Sequence, residues 1–152
     1  MKLSKLSFSV VLGLFAYSIF PGCSPEEKII VGPLDPAGIK GVISLPPGDS
    51  GDISNTRVAV YDNFVDLRAG RALAETALTD RAQSDFVLEL DSGGYFLELW
   101  KDLDGNGERN SGTDLWGFYG YGDTFTTDST EITAIQVLTG RMTAIDLLVT
   151  IP

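Results

Sequence analysis

The chain of 152 residues carries 21 acidic and 11 basic side chains, a formal net charge of −10, and no histidine. A strongly negative surface repels nucleic acid and anionic lipid head groups, so we expect no nucleic-acid partner. The lack of histidine removes the commonest general base, the Ser-His-Asp arrangement and the usual nitrogen ligands of zinc. No G-x-S-x-G elbow, phosphate-binding glycine loop or Ser-x-x-Lys pair occurs beyond residue 22, and the sequence therefore predicts a protein that is not an enzyme.

The N-terminal residues have the pattern of an export signal. Two lysines precede an apolar run at Phe8–Phe20 that is too short to span a bilayer as a helix, and a glycine precedes Cys23. This pattern resembles a bacterial lipoprotein signal. The resemblance implies that residues 1–22 are a signal peptide and that Cys23 is the lipid anchor. In Gram-negative lipoproteins, Ser24 after the cysteine would favour the outer membrane, because retention in the inner membrane usually needs an acidic residue there. The alternative is an ordinary signal peptide with a chance cysteine near its end.

The remaining chain has the length of one domain. Removing the signal takes two lysines, which leaves 9 basic and 21 acidic side chains and a net charge of about −12. Residues 23–37 contain three prolines and a glycine, and they predict an extended, lipid-anchored linker. The apolar trio Ile29–Val31 within it could instead add an edge strand. The domain itself is predicted to span residues 38–152.

Beyond the linker, the chain shows short apolar segments separated by turn residues. Period-two alternation places Tyr95, Leu97 and Leu99 on one face of a strand, with Phe96, Glu98 and Trp100 on the other. The predicted strands are Ile39–Leu45, Arg57–Tyr61, Phe86–Leu90, Tyr95–Lys101, Leu115–Tyr119, Ile132–Leu138 and Thr143–Ile151.

Two further features complete the predicted fold. Leu73–Leu78 is ambiguous between a short helix and an irregular strand. The last two predicted strands form a pair about the turn at Thr139–Arg141, and the final strand points Ile145, Leu147 and Val149 inward. We therefore expect an all-β fold, a single antiparallel Greek-key β-sandwich of about seven strands.

The order of several motifs carries a resemblance to a known fold. The chain is similar to the transthyretin-like (prealbumin-like) sandwich, which recurs in carboxypeptidase regulatory domains and in B-type repeats of bacterial surface adhesins. The continuation also resembles a group of uncharacterised secreted bacterial domains of that fold. Related hydroxyisourate hydrolases rely on histidines and a C-terminal Tyr-Arg-Gly-Ser tail, which this chain lacks, so that activity is not implied. The motifs are Gly38–Ile43, Val58–Tyr61, Phe86-x-Leu88, Gly94–Leu97, Asp102–Gly107 and Gly117–Gly120.

An acidic segment after the Tyr95–Lys101 strand has the spacing of half a calcium loop. Oxygen side chains at positions 1, 3 and 5 with glycine at position 6 can point inward together, and hard oxygen donors suit Ca²⁺. Position 12 is Thr113 rather than a bidentate Glu, and no helices flank the loop. The alternative is a plain hairpin turn at Asn106-Gly107 with solvated acids. The predicted ligands are Asp102, Asp104, Asn106, the carbonyl of Glu108, and Asp114.

Aromatic residues and a small basic segment are the remaining features. The aromatic rings could form a platform that stacks on sugars, or they could close the core beneath the acidic loop. Arg68–Arg71 is predicted to be a solvated loop, with an intramolecular ion pair as the commonest exception. The aromatic residues are Trp100, Trp116, Phe118, Tyr119, Tyr121 and Phe125.

Two classes of function follow from the sequence. The first is a non-catalytic lipoprotein of the cell envelope, held to the membrane through its lipid anchor. Its β-domain would bind a protein or glycan partner or support a surface assembly, with Ca²⁺ making one loop rigid. The second is a glycan-binding module, or a glycan-processing protein that relies on carboxylates alone. An exposed, coplanar tryptophan pair beside a groove would favour the second class, and buried rings would favour the first.

Overall fold

The computed structural model describes residues 35–151. The predicted signal peptide 1–22, Cys23, the alternative strand Ile29–Val31 and nearly all of the linker 23–37 lie outside the described residues. Among the residues described, no helix combines the length and the apolar composition needed to cross a membrane.

The described chain folds into nine strands and one short helix, which confirms the all-β prediction. The helix α1 (Phe64–Ala69) follows the second strand. The strands are β1 (Gly38–Ser44), β2 (Arg57–Tyr61), β3 (Ala74–Ala77), β4 (Gln83–Glu89), β5 (Gly93–Lys101), β6 (Leu115–Gly120), β7 (Thr124–Thr126), β8 (Ile135–Val137) and β9 (Met142–Leu148).

The strands form two sheets. One has the order β4-β1-β9, and the other has the order β3-β2-β5-β6-β7 with β8 paired to β5. Neighbouring strands are antiparallel except β1 and β9, which run parallel with Gly38 opposite Met142 and Ser44 opposite Leu148. The prediction of a wholly antiparallel arrangement is therefore wrong at this pair.

The predicted pairing of the last two strands is also wrong. A turn reverses the chain, with the backbone N–H of Arg141 donating to the carbonyl of Leu138 at 3.1 Å. The strands on either side of it nevertheless join different sheets, β8 beside β5 and β9 beside β1. Gly41 makes the β1–β9 approach possible, because a β-carbon there would lie 1.7 Å from the carbonyl oxygen of Ile145.

Side chains of both sheets meet in one hydrophobic core. Leu97 and Leu99 of β5 are fully buried in it, as the period-two alternation predicts. The inward orientation of Ile145, Leu147 and Val149 is confirmed, and all three are buried. The core also takes Ile39 and Ile43 from β1, Val58 and Val60 from β2, and Phe86 and Leu88 from β4.

The segment between β2 and β3 differs from its prediction. Arg68 and Ala69 end the helix α1 rather than belonging to a loop. The side chain of Asn63 caps the helix by accepting from the backbone N–H of Asp66 at 2.9 Å, and Gly70 ends it in the left-handed conformation with φ 64°. Arg71 forms an intramolecular ion pair, the exception expected to a solvated loop, and its guanidinium nitrogen lies 2.5 Å from a carboxylate oxygen of Asp66. The ambiguous segment after it is a strand, β3.

The outer face of the six-stranded sheet, opposite the main core, carries a second apolar cluster. Its buried members are Ala59 and Tyr61 of β2, Leu67 of α1 and Phe118 of β6. The helix α1 thus covers part of a sheet face that alternation alone would leave facing water. This cluster places β5 between two apolar layers, and both candidate sites described below adjoin the outer one.

Candidate functional site

The acidic loop connects β5 to β6. The two strands pair from Glu98 opposite Phe118 to Lys101 opposite Leu115, and residues 102–114 lie beyond the last pair. A two-residue hairpin turn at Asn106-Gly107 is therefore wrong, because the strands stop well short of it. Gly107 has φ 75°, but Asn106 is not among the described residues with positive φ, as a type I′ turn requires.

The first half of the loop is curled around its own carboxylates. The side chain of Asp102 accepts hydrogen bonds from the backbone N–H groups of Gly105 at 2.7 Å, Asn106 at 3.2 Å and Gly107 at 2.8 Å. These bonds, that of Gly107 above all, lower the pKa of Asp102 below its usual range. The carboxylate is therefore held ionised, with its two oxygens fixed toward the inside of the turn.

The next two predicted ligands continue the same pattern. Asp104 accepts from the backbone N–H of Asn106 at 3.1 Å and from its side-chain amide at 2.9 Å. The amide oxygen of Asn106 accepts from the backbone N–H of Glu108 at 2.7 Å. The carbonyl of Glu108 accepts from the side-chain amide of Asn110 at 3.1 Å. Positions 1, 3 and 5 of the predicted loop thus all turn inward onto backbone groups, as the spacing predicts.

Asp114 closes the loop from its far end. It is buried, and its two oxygens accept from the backbone N–H groups of Leu103 at 3.1 Å and Asn110 at 3.0 Å. One ligand oxygen from each of Asp102, Asp104 and Asp114 lies within 4.8 Å of the others. The structure therefore brings three of the predicted ligands together, whereas the exposed carboxylate of Glu108 is not in that group. Three like charges at this separation repel one another unless a cation lies between them.

A second polar centre lies under the same loop and was not predicted from the sequence. Glu98 of β5 is fully buried on the outer face of the six-stranded sheet. It accepts hydrogen bonds from the hydroxyl of Tyr61 at 2.5 Å and from the indole N–H of Trp116 at 3.3 Å. The guanidinium of Arg109, which belongs to the acidic loop, forms a salt bridge with Oε1 of Glu98, the same oxygen that accepts from Trp116. Burial raises the pKa of Tyr61, so its phenol stays protonated as the donor.

The Glu98 centre connects the acidic loop to the folded sheet. Arg109 is the fifth residue before Asp114 in the chain, and it reaches the floor of the outer cluster while the neighbouring carboxylates gather at the loop. The sequence signal for this centre was an acidic residue, Glu98, on the same face of the strand as the aromatic residues Phe96 and Trp100. Its three donors come from β2, β6 and the loop, so the sequence alone could not assign them.

The aromatic residues do not form one platform. Tyr119 and Phe125 pack against the main core, and Trp116 packs against the outer cluster, where its ring meets Phe118 edge-on at 5.6 Å. The guanidinium of Arg57 lies 5.1 Å from the ring centre of Trp100 and covers one of its faces. Trp100 and Trp116 are cross-strand neighbours, yet each is half-buried in its own surroundings. Tyr121 is the exposed ring of the set, at 84%.

Comparisons with protein-family models, with curated proteins and with solved structures found no match to this chain.

Proposed function

We propose that the chain is a non-catalytic lipoprotein of the bacterial cell envelope. We further propose that Ca²⁺ stabilises one loop of its β-domain, which is the part of the proposal that can be tested most directly. The observation that carries the calcium part is the gathering of Asp102, Asp104 and Asp114, whose ligand oxygens lie within 4.8 Å of one another. The donors are all hard oxygens, which suit Ca²⁺ and leave softer metals poorly served. Because Arg109 of the same loop pairs with the buried Glu98, order in the loop stabilises the outer face of the sheet.

The fold proposed for the domain is a transthyretin-like Greek-key β-sandwich. Two sheets that share one core support this proposal. Residues 35–151 contain nine strands rather than the seven expected, because β3 and the three-residue strand β7 add to the predicted set. In this proposal the domain is a binding or structural module, tethered to the outer membrane by a lipid on Cys23 and presented to a protein or glycan partner.

Calcium is expected to stabilise the protein weakly. An incomplete ligand set, without a bidentate acid at the twelfth position, suggests a dissociation constant of roughly 10⁻⁴–10⁻³ M, as in extracellular modules. At ten times that constant, Ca²⁺ would raise the free energy of unfolding by about 1.4 kcal/mol. Mg²⁺ should do less, because it prefers a stricter octahedron and keeps its waters. The measurement is thermal melting of the purified full chain with and without each ion.

Variants make the calcium test specific to the loop. The double variant Asp102→Ala/Asp104→Ala should lose the shift, judged against its own metal-free melting temperature. Asp85→Ala removes an exposed acid on β4 and should keep the shift in full. If wild type shows no shift up to about 10 mM Ca²⁺, ten times the weak end of that affinity range, the calcium proposal is wrong.

The lipid anchor is tested separately from the loop. Cys23→Ser should abolish incorporation of a radioactive fatty acid and leave an unprocessed precursor, because the serine hydroxyl cannot replace the thiol as the lipid acceptor. Ser24→Ala keeps the cysteine and should be labelled like wild type. Equal labelling of wild type and Cys23→Ser would exclude lipidation at this position without touching the calcium proposal.

A further inference from the structure

A pocket of about 390 Å³ lies on the outer face of the six-stranded sheet, between α1, the acidic loop and residues 127–132. Its volume falls within the range of roughly 300–1,000 Å³ in which proteins bind small molecules. Most of its wall is apolar, formed by Leu67 of α1, Trp116 and Phe118 of β6, and Ile132. The apolar wall continues the outer cluster, so a ligand with an apolar body would extend packing that already exists.

The charged side chains that line this pocket, among the described residues, are both arginines. Arg68 stands at the last turn of α1, and it forms no salt bridge with any residue in the described range 35–151. Arg109 is compensated by Glu98, and that carboxylate is itself satisfied by Tyr61 and Trp116 as well. Glu98 therefore offers no free negative charge to repel an anion, while Arg68 offers a guanidinium that forms no salt bridge within residues 35–151.

The uncharged polar residues that line the pocket carry hydroxyl groups. Thr127 and Ser129 line the pocket, but Asp128 between them does not. The carboxylate of Asp128 instead accepts from the backbone N–H and the hydroxyl of Thr130, both at 2.8 Å. The carboxylate of Glu131 accepts from a threonine hydroxyl at 2.7 Å. The acids nearest to Thr127 and Ser129 in sequence are thus bonded elsewhere, and the charged side chains that line the pocket, among residues 35–151, remain the two arginines in a chain of net charge −10.

We propose that this pocket binds a small organic acid with an apolar body and one carboxylate. The apolar body would lie against Trp116, Phe118 and Leu67, and the carboxylate would meet the guanidinium of Arg68, with a hydroxyl that lines the pocket as a second donor. A guanidinium presents a planar pair of N–H donors that matches a carboxylate. The inference goes beyond the proposed function, because it names a ligand of the binding module and requires neither Ca²⁺ nor the lipid anchor.

The test compares an acid with its neutral amide. The purified full chain, in nanodiscs of neutral phosphatidylcholine, is titrated with 4-phenylbutyrate and with 4-phenylbutanamide by calorimetry. A charge-assisted hydrogen bond contributes enough that the acid should bind at least about tenfold more tightly than the amide. The fluorescence of Trp116 gives a second readout, and the ligand-induced change should survive Trp100→Phe, since Trp100 does not line the pocket.

Two arginine variants with the same change of charge identify the binding group. Arg68→Gln should raise the dissociation constant for 4-phenylbutyrate about tenfold or more, and should leave the weak binding of the amide unchanged. Arg81→Gln removes an exposed guanidinium outside the pocket and should have less than a twofold effect. The proposal is overturned if acid and amide bind equally, if the two variants act alike, or if the acid does not bind by about 1 mM. None of these outcomes alters the calcium-dependent melting shift, so the two proposals fail independently.

Discussion

Replacing Arg109 with methionine is expected to lower the free energy of unfolding by about 3–5 kcal/mol, because it leaves the buried carboxylate of Glu98 without its cation. Glu98 is 0% exposed, so water cannot replace the lost charge, and only the neutral donors of Tyr61 and Trp116 remain. Methionine keeps much of the apolar stem of arginine, so the loss reports the charge rather than the packing. Denaturant unfolding at neutral pH measures this change.

The matched variants separate a buried ion pair from an exposed one. Adding Glu98→Gln to Arg109→Met removes the uncompensated charge and should recover most of the lost stability. Arg81→Met breaks an exposed ion pair with Asp52, in which the side chain of Arg81 is 76% exposed. This change should lower the free energy of unfolding by no more than about 1 kcal/mol. Equal effects of Arg109→Met and Arg81→Met would show that the Glu98 centre is not an essential ion pair.

Local patterns in the sequence predicted the parts of the fold that depend on local geometry. Alternation along β5 identified which side chains face the main core, because a strand turns successive residues to opposite faces whatever its neighbours are. The spacing of Asp102, Asp104 and Asn106 likewise predicted side chains that turn inward together, since the loop closes over a few residues. Asp114 lies close to Asp102 and Asp104 in the folded loop because it follows the loop directly and precedes β6.

The pairing of strands that are distant in the sequence could not be predicted from local patterns. The sequence of β9 shows which residues are buried, but the same pattern fits a hairpin with β8 or a parallel neighbour such as β1. The feature that permits the pairing is Gly41, whose missing β-carbon allows the close approach of Ile145. A single glycine in a strand can also indicate a bulge or a bend, so it does not predict this pairing. The helix α1 was missed because it is short, although Asn63 and Gly70 are ordinary capping residues.

The partners of Glu98 likewise could not be predicted from the sequence, because they come from distant segments of the chain. Alternation placed Glu98 on the face away from the main core, which for an acid normally means solvent. The outer cluster buries it because α1, Trp116 and Phe118 cover that face, and Arg109 returns from the loop to neutralise it. Each of these partners is separated from Glu98 by a loop or a strand, so burial and charge compensation appear only in the folded chain.

Removing the last strand is expected to abolish cooperative unfolding. Deleting residues 143–152 takes Ile145, Leu147 and Val149 out of the core, where each is at most 5% exposed. Each such side chain contributes about 1.5–3 kcal/mol through burial, and three together rival a total stability of about 5–15 kcal/mol. The deletion also leaves β1, the central strand of its sheet, without one of its two neighbours. Far-UV circular dichroism during heating measures the loss.

A neighbouring pair of leucines distinguishes burial in the core from a general effect of altering β9. Leu147 is 2% exposed and Leu148 is 63% exposed, and both belong to the same strand. Leu147→Ala should lower the free energy of unfolding by about 2–5 kcal/mol, through the lost transfer energy and the cavity that remains. Leu148→Ala should stay within about 0.5 kcal/mol of wild type, as surface substitutions usually do. A sharp transition at an unchanged temperature in the deletion variant, or equal losses for the two leucines, would contradict the position of β9 in the core.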